Sequence, residues 1–359
     1  MNNKLKKTGP FRDFFALVRK DLREINFRTL FFRDVRSIYY FYLTPQDREK
    51  LAAMGWMRRW LYRILWFAKS IFFKLSVMRR LLLLFSLYLI IDVQNQSRMT
   101  AGYALIFIIL LLELKDKLLA HDELKAGRVI QEALRPQQCP ELCGWDIFLY
   151  SESANEVGGD LINCLPIDDD HTGFMVGDVS GKGLGAALLM AQLQASVEAL
   201  ISHIKSLPKL AVQLNQLYCR ENLANQFISF IFLQATPKSG KISFVNAGHL
   251  PPIVVGRNGL KELGKGGLAL GLSHKTNYKE ESVTLHSGDL LVVYTDGVTE
   301  ARNPEGEFYG DTRFLQLLST PPAPSASSLG QAIVHDVEKF AQNAGRNDDL
   351  TLMILKRTE

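Results

Sequence analysis

Four places in the chain put an Asp at the edge of an apolar segment, beside Gly or another small or acidic residue. They are Asp160 in Val157-Gly158-Gly159-Asp160, Asp178 in Gly177-Asp178-Val179-Ser180, Asp296 in Tyr294-Thr295-Asp296-Gly297, and the pair Asp348-Asp349 in Arg346-Asn347-Asp348-Asp349-Leu350-Thr351. Hard oxygen ligands converging from several loops are what a pair of Mg2+ or Mn2+ ions requires. Two such ions about 3.5–4 Å apart lower the pKa of a shared water and clamp a phosphoryl group for in-line attack, so no protein nucleophile is needed. Each Asp also has a plainer reading. Asp296-Gly297 is a hairpin-turn signal, and Asp348-Asp349 before a strand reads as a turn with solvated charges. As a set, with no His-rich or Cys-rich constellation in competition, they read as a dinuclear site.

Asp178 has the most telling surroundings. Thr172 to Val176 is an apolar strand candidate that runs into Gly177-Asp178-Val179-Ser180-Gly181-Lys182-Gly183, after which Leu189, Leu193, Val197 and Leu200 recur at helical spacing. Glycines there allow close backbone approach, and a carboxylate on such a turn suits a cation better than a phosphate. Two superficial matches fail on this point. Gly181 to Ala186 fits the loose dinucleotide pattern but places Asp178 where a pyrophosphate would bind, and Gly177 to Lys182 is one residue short of a phosphate loop, with Lys182 followed by Gly rather than Ser or Thr.

The elements that must hold these residues begin at Gly144. Strand patterns cover Trp145 to Tyr150, Gly173 to Val176, Phe227 to Gln234, Lys241 to Val245, Ile253 to Val255, Ser282 to Leu285, Leu290 to Tyr294 and Leu350 to Leu355. Helical patterns cover Leu184 to Ile204, Lys209 to Glu221, Thr312 to Leu318 and Leu329 to Gln342, while the Pro- and Ser-rich stretch Ser319 to Ser328 reads as a surface loop. Strands in runs and helices in pairs favour an α+β domain of layered antiparallel sheets over a doubly wound parallel one. That domain is expected over residues 136–359.

The remainder of the 359 residues has another character. Residues 1–80 carry 19 Lys and Arg against 6 Asp and Glu, and the other 279 carry 23 against 31, within an overall net charge of +5. The first 80 residues are expected to form a basic cytosolic and interfacial helical region. Trp56, Trp60, Leu61, Ile64, Leu65, Phe67, Ile71 and Phe72 alternate there with Arg58, Arg59, Arg63, Lys69, Lys74, Arg79 and Arg80. Such a helix suits an anionic membrane surface rather than nucleic acid. Leu81 to Ile91 and Met99 to Leu112 are uncharged and apolar, each shorter than the ~20 residues of a perpendicular span. The basic flank before them and the short polar connection between them predict a membrane hairpin over 81–112 with both ends in the cytoplasm. Residues 113–135 read as a linker helix, with Leu111, Leu114, Leu118, His121 and Lys125 in an imperfect three-four pattern that leaves room for a parallel homodimer. His121 is expected to be solvated, and Pro136 and Pro140 to stop the helix.

No cleavable signal peptide is expected, since the first apolar run is broken by Arg12, Asp13, Arg19 and Lys20. Four cysteines, Cys139, Cys143, Cys164 and Cys219, make no disulfide framework in a chain this long, so reduced thiols in a reducing compartment are expected. Cys139 and Cys143 lack the second ligand pair of a zinc site.

With Asn246-Ala247-Gly248-His249 added, the ordered motifs around Asp160, Asp178, Asp296 and Asp348-Asp349 resemble the SpoIIE/RsbU-type branch of the metal-dependent (PPM) serine/threonine protein phosphatases. The similarity covers about residues 125 to 357. It implies a PPM-type αββα sandwich, two antiparallel sheets flanked by helix pairs, with two Mn2+ or Mg2+ ions at one end. By position Asp178 would bridge both ions, Asp160 and the backbone carbonyl of Val179 would complete one, and Asp296 and Asp348 the other. Asp349, His249 and Lys182 would stand behind or beside these ligands, and no arginine matches the phosphate-gripping one of the eukaryotic relatives. The resemblance further implies a phosphoprotein substrate such as an anti-anti-sigma-like regulator, with the catalytic domain on the cytoplasmic face of the inner membrane. A non-catalytic partner-binding module of the same fold, or a hydrolase of a small phosphorylated metabolite, are the rival readings.

Overall fold

The computed structural model describes residues 55–359, apart from 92–93, 137–138, 140–141, 169, 222–225, 238, 258, 320–323 and 343. The basic segment expected to be partly helical before residue 55 lies outside the described residues, as does Pro140. The chain divides into two units, Met1–Asp116 and Lys117–Glu359.

In the first unit, α1 (Trp56–Lys74) and α2 (Val77–Ile91) precede α3 (Gln96–Leu134), whose C-terminal part belongs to the second unit. Helix α2 has 15 residues, about 22 Å of rise, against a hydrocarbon core of ~30 Å. It lies against the start of α3 through small residues. Ser86 is fully buried, and a Cβ on Gly102 would come within 2.6 Å of Ile90 Cγ1 and 2.9 Å of the Ser86 carbonyl. Arg79 at the start of α2 pairs with Glu113 (2.5 Å) and Asp116 (2.6 Å) on α3, closing the base of the helical pair. Most other apolar side chains of α2 and early α3, such as Phe85, Tyr88, Phe107 and Leu110, are exposed.

Among the described residues, the second unit contains ten strands and four helices of its own. They are β1 (Trp145–Glu152), β2 (Asp160–Asp168), β3 (His171–Val179), α4 (Leu184–Ile201), α5 (Leu207–Glu221), β4 (Ile228–Ala235), β5 (Lys241–Ala247), β6 (Ile253–Gly256), β7 (Gly259–Glu262), β8 (Glu280–Thr284), β9 (Leu290–Tyr294), α6 (Asp311–Leu318), α7 (Ala326–Ala341) and β10 (Leu350–Arg357). The strands form two five-stranded antiparallel sheets, ordered β1-β10-β9-β6-β7 and β2-β3-β4-β5-β8.

Side-chain alternation explains how the sheets stack. Phe174 and Val176 of β3 join Met353 and Leu355 of β10 between the sheets, while Met175 faces α4 and α5, and Leu352 and Ile354 face α6 and α7. Each sheet is covered on both faces, so its central strands are apolar at nearly every position. The result is the expected αββα sandwich. Among the described residues, α4 is the helix long and apolar enough to cross a membrane. Its Leu193 and Val197 are fully buried in the layer beside the second sheet, so α4 serves as a core helix.

Two features depart from the sequence reading. Strands β2 and β7 were not anticipated. Asn163 and Pro166 break the apolar alternation of β2, whose register shifts between Pro166 and Asp168, and β7 is a short edge strand. The loop expected over 319–328 ends early, because Ser325 caps α7 by exchanging hydrogen bonds with Ser328. The sulfurs of Cys139 and Cys164 lie side by side, bringing the segment after α3 against β2, whereas Cys143 and Cys219 stand apart from them.

Candidate metal centre

Strands β2 and β3 pair with Asp160 directly opposite Asp178. Both share the parity of Ile162 and Val176, which pack between the sheets, so their carboxyls end the inter-sheet layer. Asp296 and Asp348 arrive from the other sheet, just after β9 and just before its neighbour β10. The turn at Asp296 threads tightly beneath the β10 loop. A Cβ on Gly297 would lie 1.8 Å from the Asp349 carbonyl, so only glycine fits.

Asp160 is buried. The Thr295 hydroxyl donates to its Oδ2 at 2.8 Å and itself accepts from the Thr351 N–H at 3.1 Å, while the Thr351 hydroxyl, 3.0 Å from Ser151 Oγ, lies beside the same carboxyl. Burial, then the Asp178 charge, pushes the Asp160 carboxyl well above the usual range. Burial, then Asp296, Asp348 and Asp349, raises Asp178 to about 7, with Lys182 acting in opposition. Asp296 is raised by burial, then Asp348 and Glu300. Gathering like charges in a partly desolvated place is costly unless cations offset them.

The other residues singled out in the sequence also lie here. The carbonyl of Val179 faces Gly159, where a Cβ would come within 3.1 Å of it. Asp349 accepts from Ala154 N (2.8 Å) and Gly159 N (2.6 Å), which fixes the loop leading to Asp160. The Lys182 ammonium donates to the Asn347 carbonyl (2.6 Å) and to Asp348 Oδ2 (2.8 Å). His249 is buried behind Asp178, with Nδ1 3.1 Å from the hydroxyl of Ser229, the β4 partner of Asp178. Its backbone exchanges two hydrogen bonds with the Asn246 side chain. Burial holds the His249 imidazole down at about 4, which the Tyr294 backbone offsets only in part.

Among the described residues no three His, Cys, Asp or Glu side chains already close on a common point as a formed metal site. The donor chemistry nevertheless fits hard divalent cations, since the gathered groups are carboxylates whose mutual repulsion positive charge would relieve.

Sequence reasoning missed Gln131. Its buried amide clamps Gly158, donating to the carbonyl at 2.7 Å and accepting from the N–H at 3.0 Å, so the end of α3 grips the loop before Asp160. A lone Gln in a polar helical stretch gives no signal of this. Thr295, Thr351 and Arg346 lay inside the quoted motifs without a role. Arg346 ties the loop before Asp348 to Glu152 (2.6 Å) and Glu338 (3.0 Å). A cavity of about 290 Å3 opens beside Asp348, with Gly297, Arg302, Glu338 and Arg346 among its lining.

Two helix-flanked antiparallel sheets with acidic residues gathered at one end define the chain as a PPM-type phosphatase sandwich. The family described as Stage II sporulation protein E (SpoIIE) matches residues 168–358, and the chain belongs to that family. It is 27% identical over 264 residues to Protein IcfG of Synechocystis sp., covering 66% of this chain and 41% of that protein. To the phosphoserine phosphatase RsbU of Bacillus subtilis it is 27% identical over 237 residues, covering 66% and 70%. The chain thus spans less than half of the first relative and about two thirds of the second. Among solved structures, the SiaA-PP2C domain of Pseudomonas aeruginosa superposes with a TM-score of 0.60 at 20% identity, over 67% of this chain and 98% of that one. The PP2C phosphatase domain of SpoIIE from Bacillus subtilis, with a fragment of its regulatory domain, gives 0.52 at 14%, over 59% and 63%. At these identities the structural likeness speaks for the fold alone.

Proposed function

We propose that the chain is a Mn2+- or Mg2+-dependent phosphoserine/phosphothreonine protein phosphatase acting on a regulatory phosphoprotein. The observation that carries this is the meeting of Asp160 and Asp178 from one sheet with Asp296 and Asp348 from the other at one end of the sandwich. Asp160, Asp178 and the Val179 carbonyl would hold one ion, and Asp178, Asp296 and Asp348 the other. When bound, the two ions supply an activated water and positive charge against a phosphoryl group. Asp349, Thr295 and Thr351 orient the carboxylates and the loop that carries Asp160, and His249, neutral in its buried place, supports β4 behind Asp178. The cavity beside Asp348 offers room for a side chain next to the phosphorylated one. Similarity to a phosphoserine phosphatase supports a phosphoserine substrate, and the resemblance of the acidic motifs to the SpoIIE/RsbU-type branch supports its being carried on a protein such as an anti-anti-sigma-like regulator. Turnover of a phosphoserine peptide that requires Mn2+ and is lost in Asp178→Asn is the expected result. Partner binding without turnover would favour the non-catalytic module, and turnover restricted to small phosphate esters the metabolite hydrolase.

The same reading puts residues 81–112 in the cytoplasmic membrane with the catalytic domain in the cytoplasm. Exposed apolar faces on α2 and early α3, packed together at Ser86 and Gly102, support it. The expressed chain should sediment with membranes and need detergent for release; a detergent-free soluble fraction would rule this out. The exposed stripe Leu111, Leu114 and Leu118 supports a homodimer along α3 that passes a signal to the site through Gln131. Leu124→Pro should then change full-length activity without changing metal binding by the catalytic domain.

A further inference from the structure

Lys182 stands apart from the rest of the site in charge. Its ammonium bridges the glycine-rich loop after β3 to the loop before β10, holding Asp348 Oδ2 at 2.8 Å and the Asn347 carbonyl at 2.6 Å. The same charge opposes the crowding of carboxylates at Asp178 and Asp296. Two arginines line the neighbouring cavity, but Arg346 is engaged by Glu152 and Glu338, and Arg302 lies over the Phe308 ring, 4.1 Å from its centroid.

We propose that Lys182 is a built-in counter-cation for Asp348, one that a divalent ion must displace before it can take that carboxylate. This rests on reading the centre as a divalent-metal site. An ammonium and a divalent cation compete for one carboxylate oxygen and repel one another, so loading of the Asp296–Asp348 half is set by the difference between two attractions. The lysine is placed to yield. Its side chain is 52% exposed, and it is flanked by Gly181 (φ 99°) and Gly183 (φ 79°), with open space around Gly183. A hydrated ammonium on a flexible stem exchanges partners more readily than a guanidinium fork. The sequence thereby gives the two halves of the centre different thresholds: Asp160 is held by neutral hydroxyls, whereas Asp348 carries its own competitor.

The test is Mn2+ binding to the full-length chain in detergent, followed by the electron paramagnetic resonance signal of free Mn2+. Wild type is compared with the neutral variants K182Q and K182M and with K182R, which keeps the charge. Both neutral variants should bind the weaker Mn2+ roughly twofold to fivefold more tightly, as expected for removing a half-exposed ion pair, while K182R should stay near wild type. Equal or weaker binding in the neutral variants overturns the proposal. So does a rise in KM for a phosphopeptide with Mn2+ affinity unchanged, because Lys182 would then serve the substrate phosphate. A wild-type chain that takes up no Mn2+ overturns the metal-centre reading itself, and this proposal with it.

Discussion

The two halves of the carboxylate centre are built on different principles. At the β2–β3 end, Asp160 and Asp178 face each other across paired strands, and Asp160 is buried among the hydroxyls of Thr295 and Thr351. At the β9–β10 end, Asp296 and Asp348 stand on loops, Asp348 is 36% exposed, and its nearest partner is a lysine. The first half has its geometry imposed by backbone hydrogen bonds, while in the second the Asp348 side chain is held by an ion pair that can exchange partners. A site of this kind can keep one rigid anchor and let loading of the other respond to its surroundings.

The largest effect should separate the halves directly. Asp178→Asn should lower phosphoserine-peptide turnover by on the order of 10³ or more, and Asp348→Asn by less, because a loop carboxylate already shared with Lys182 would contribute less than one proposed to bridge both ions. Equal losses in steady-state assays would show that the halves act as one unit.

Backbone threading comes next. Gly297→Ala would set a methyl 1.8 Å from the Asp349 carbonyl and should cost about 3 kcal/mol in denaturant unfolding, with the loss centred on the β9–β10 end. Near-native stability would mean that the turn at Asp296 is not held as tightly against the β10 loop as its packing implies.

Supports of the rigid half should matter somewhat less. Gln131→Met leaves the buried Gly158 N–H and carbonyl unpaired and should cost about 2 kcal/mol. Thr295→Val removes both the donor to Asp160 and the acceptor for Thr351 N–H, and should weaken Mn2+ binding roughly tenfold while leaving the fold intact. Calorimetric titration would show it.

The pH dependence of stability probes the support behind Asp178. His249 is held neutral, with its pKa near 4 in the folded chain, while the unfolded chain takes a proton below about 6.5. Its contribution is therefore complete above about pH 6.5 and is lost as pH falls toward 4. At pH 5 that loss should be about 2 kcal/mol relative to pH 7.5, and His249→Gln should flatten the change.

How far the sequence revealed all this varies by residue. Central strands such as β9 and β10 were legible because they are apolar nearly throughout and end in marked turns. Strand β2 was not, because Asn163 and Pro166 hide its alternation, although it carries Asp160. The acidic motifs were visible as chemistry, yet nothing in a linear reading tells that Asp349 holds the backbone of Ala154 and Gly159, or that Gln131 clamps Gly158. Those contacts span tens to hundreds of residues, whereas periodicity and turn signals act over a few.

The residue types alone determined the chemistry available: oxygen donors suited to hard cations, glycines where backbones must come close, and a basic, apolar N-terminal stretch unlike the acidic remainder of the chain. Only the tertiary structure decided which donors meet, since strand register sets Asp160 against Asp178 and the stacking of two sheets brings Asp296 and Asp348 to the same end. It also decided that Lys182 neutralises Asp348 rather than facing solvent alone, because an ion pair depends on where two loops end up after the core has packed.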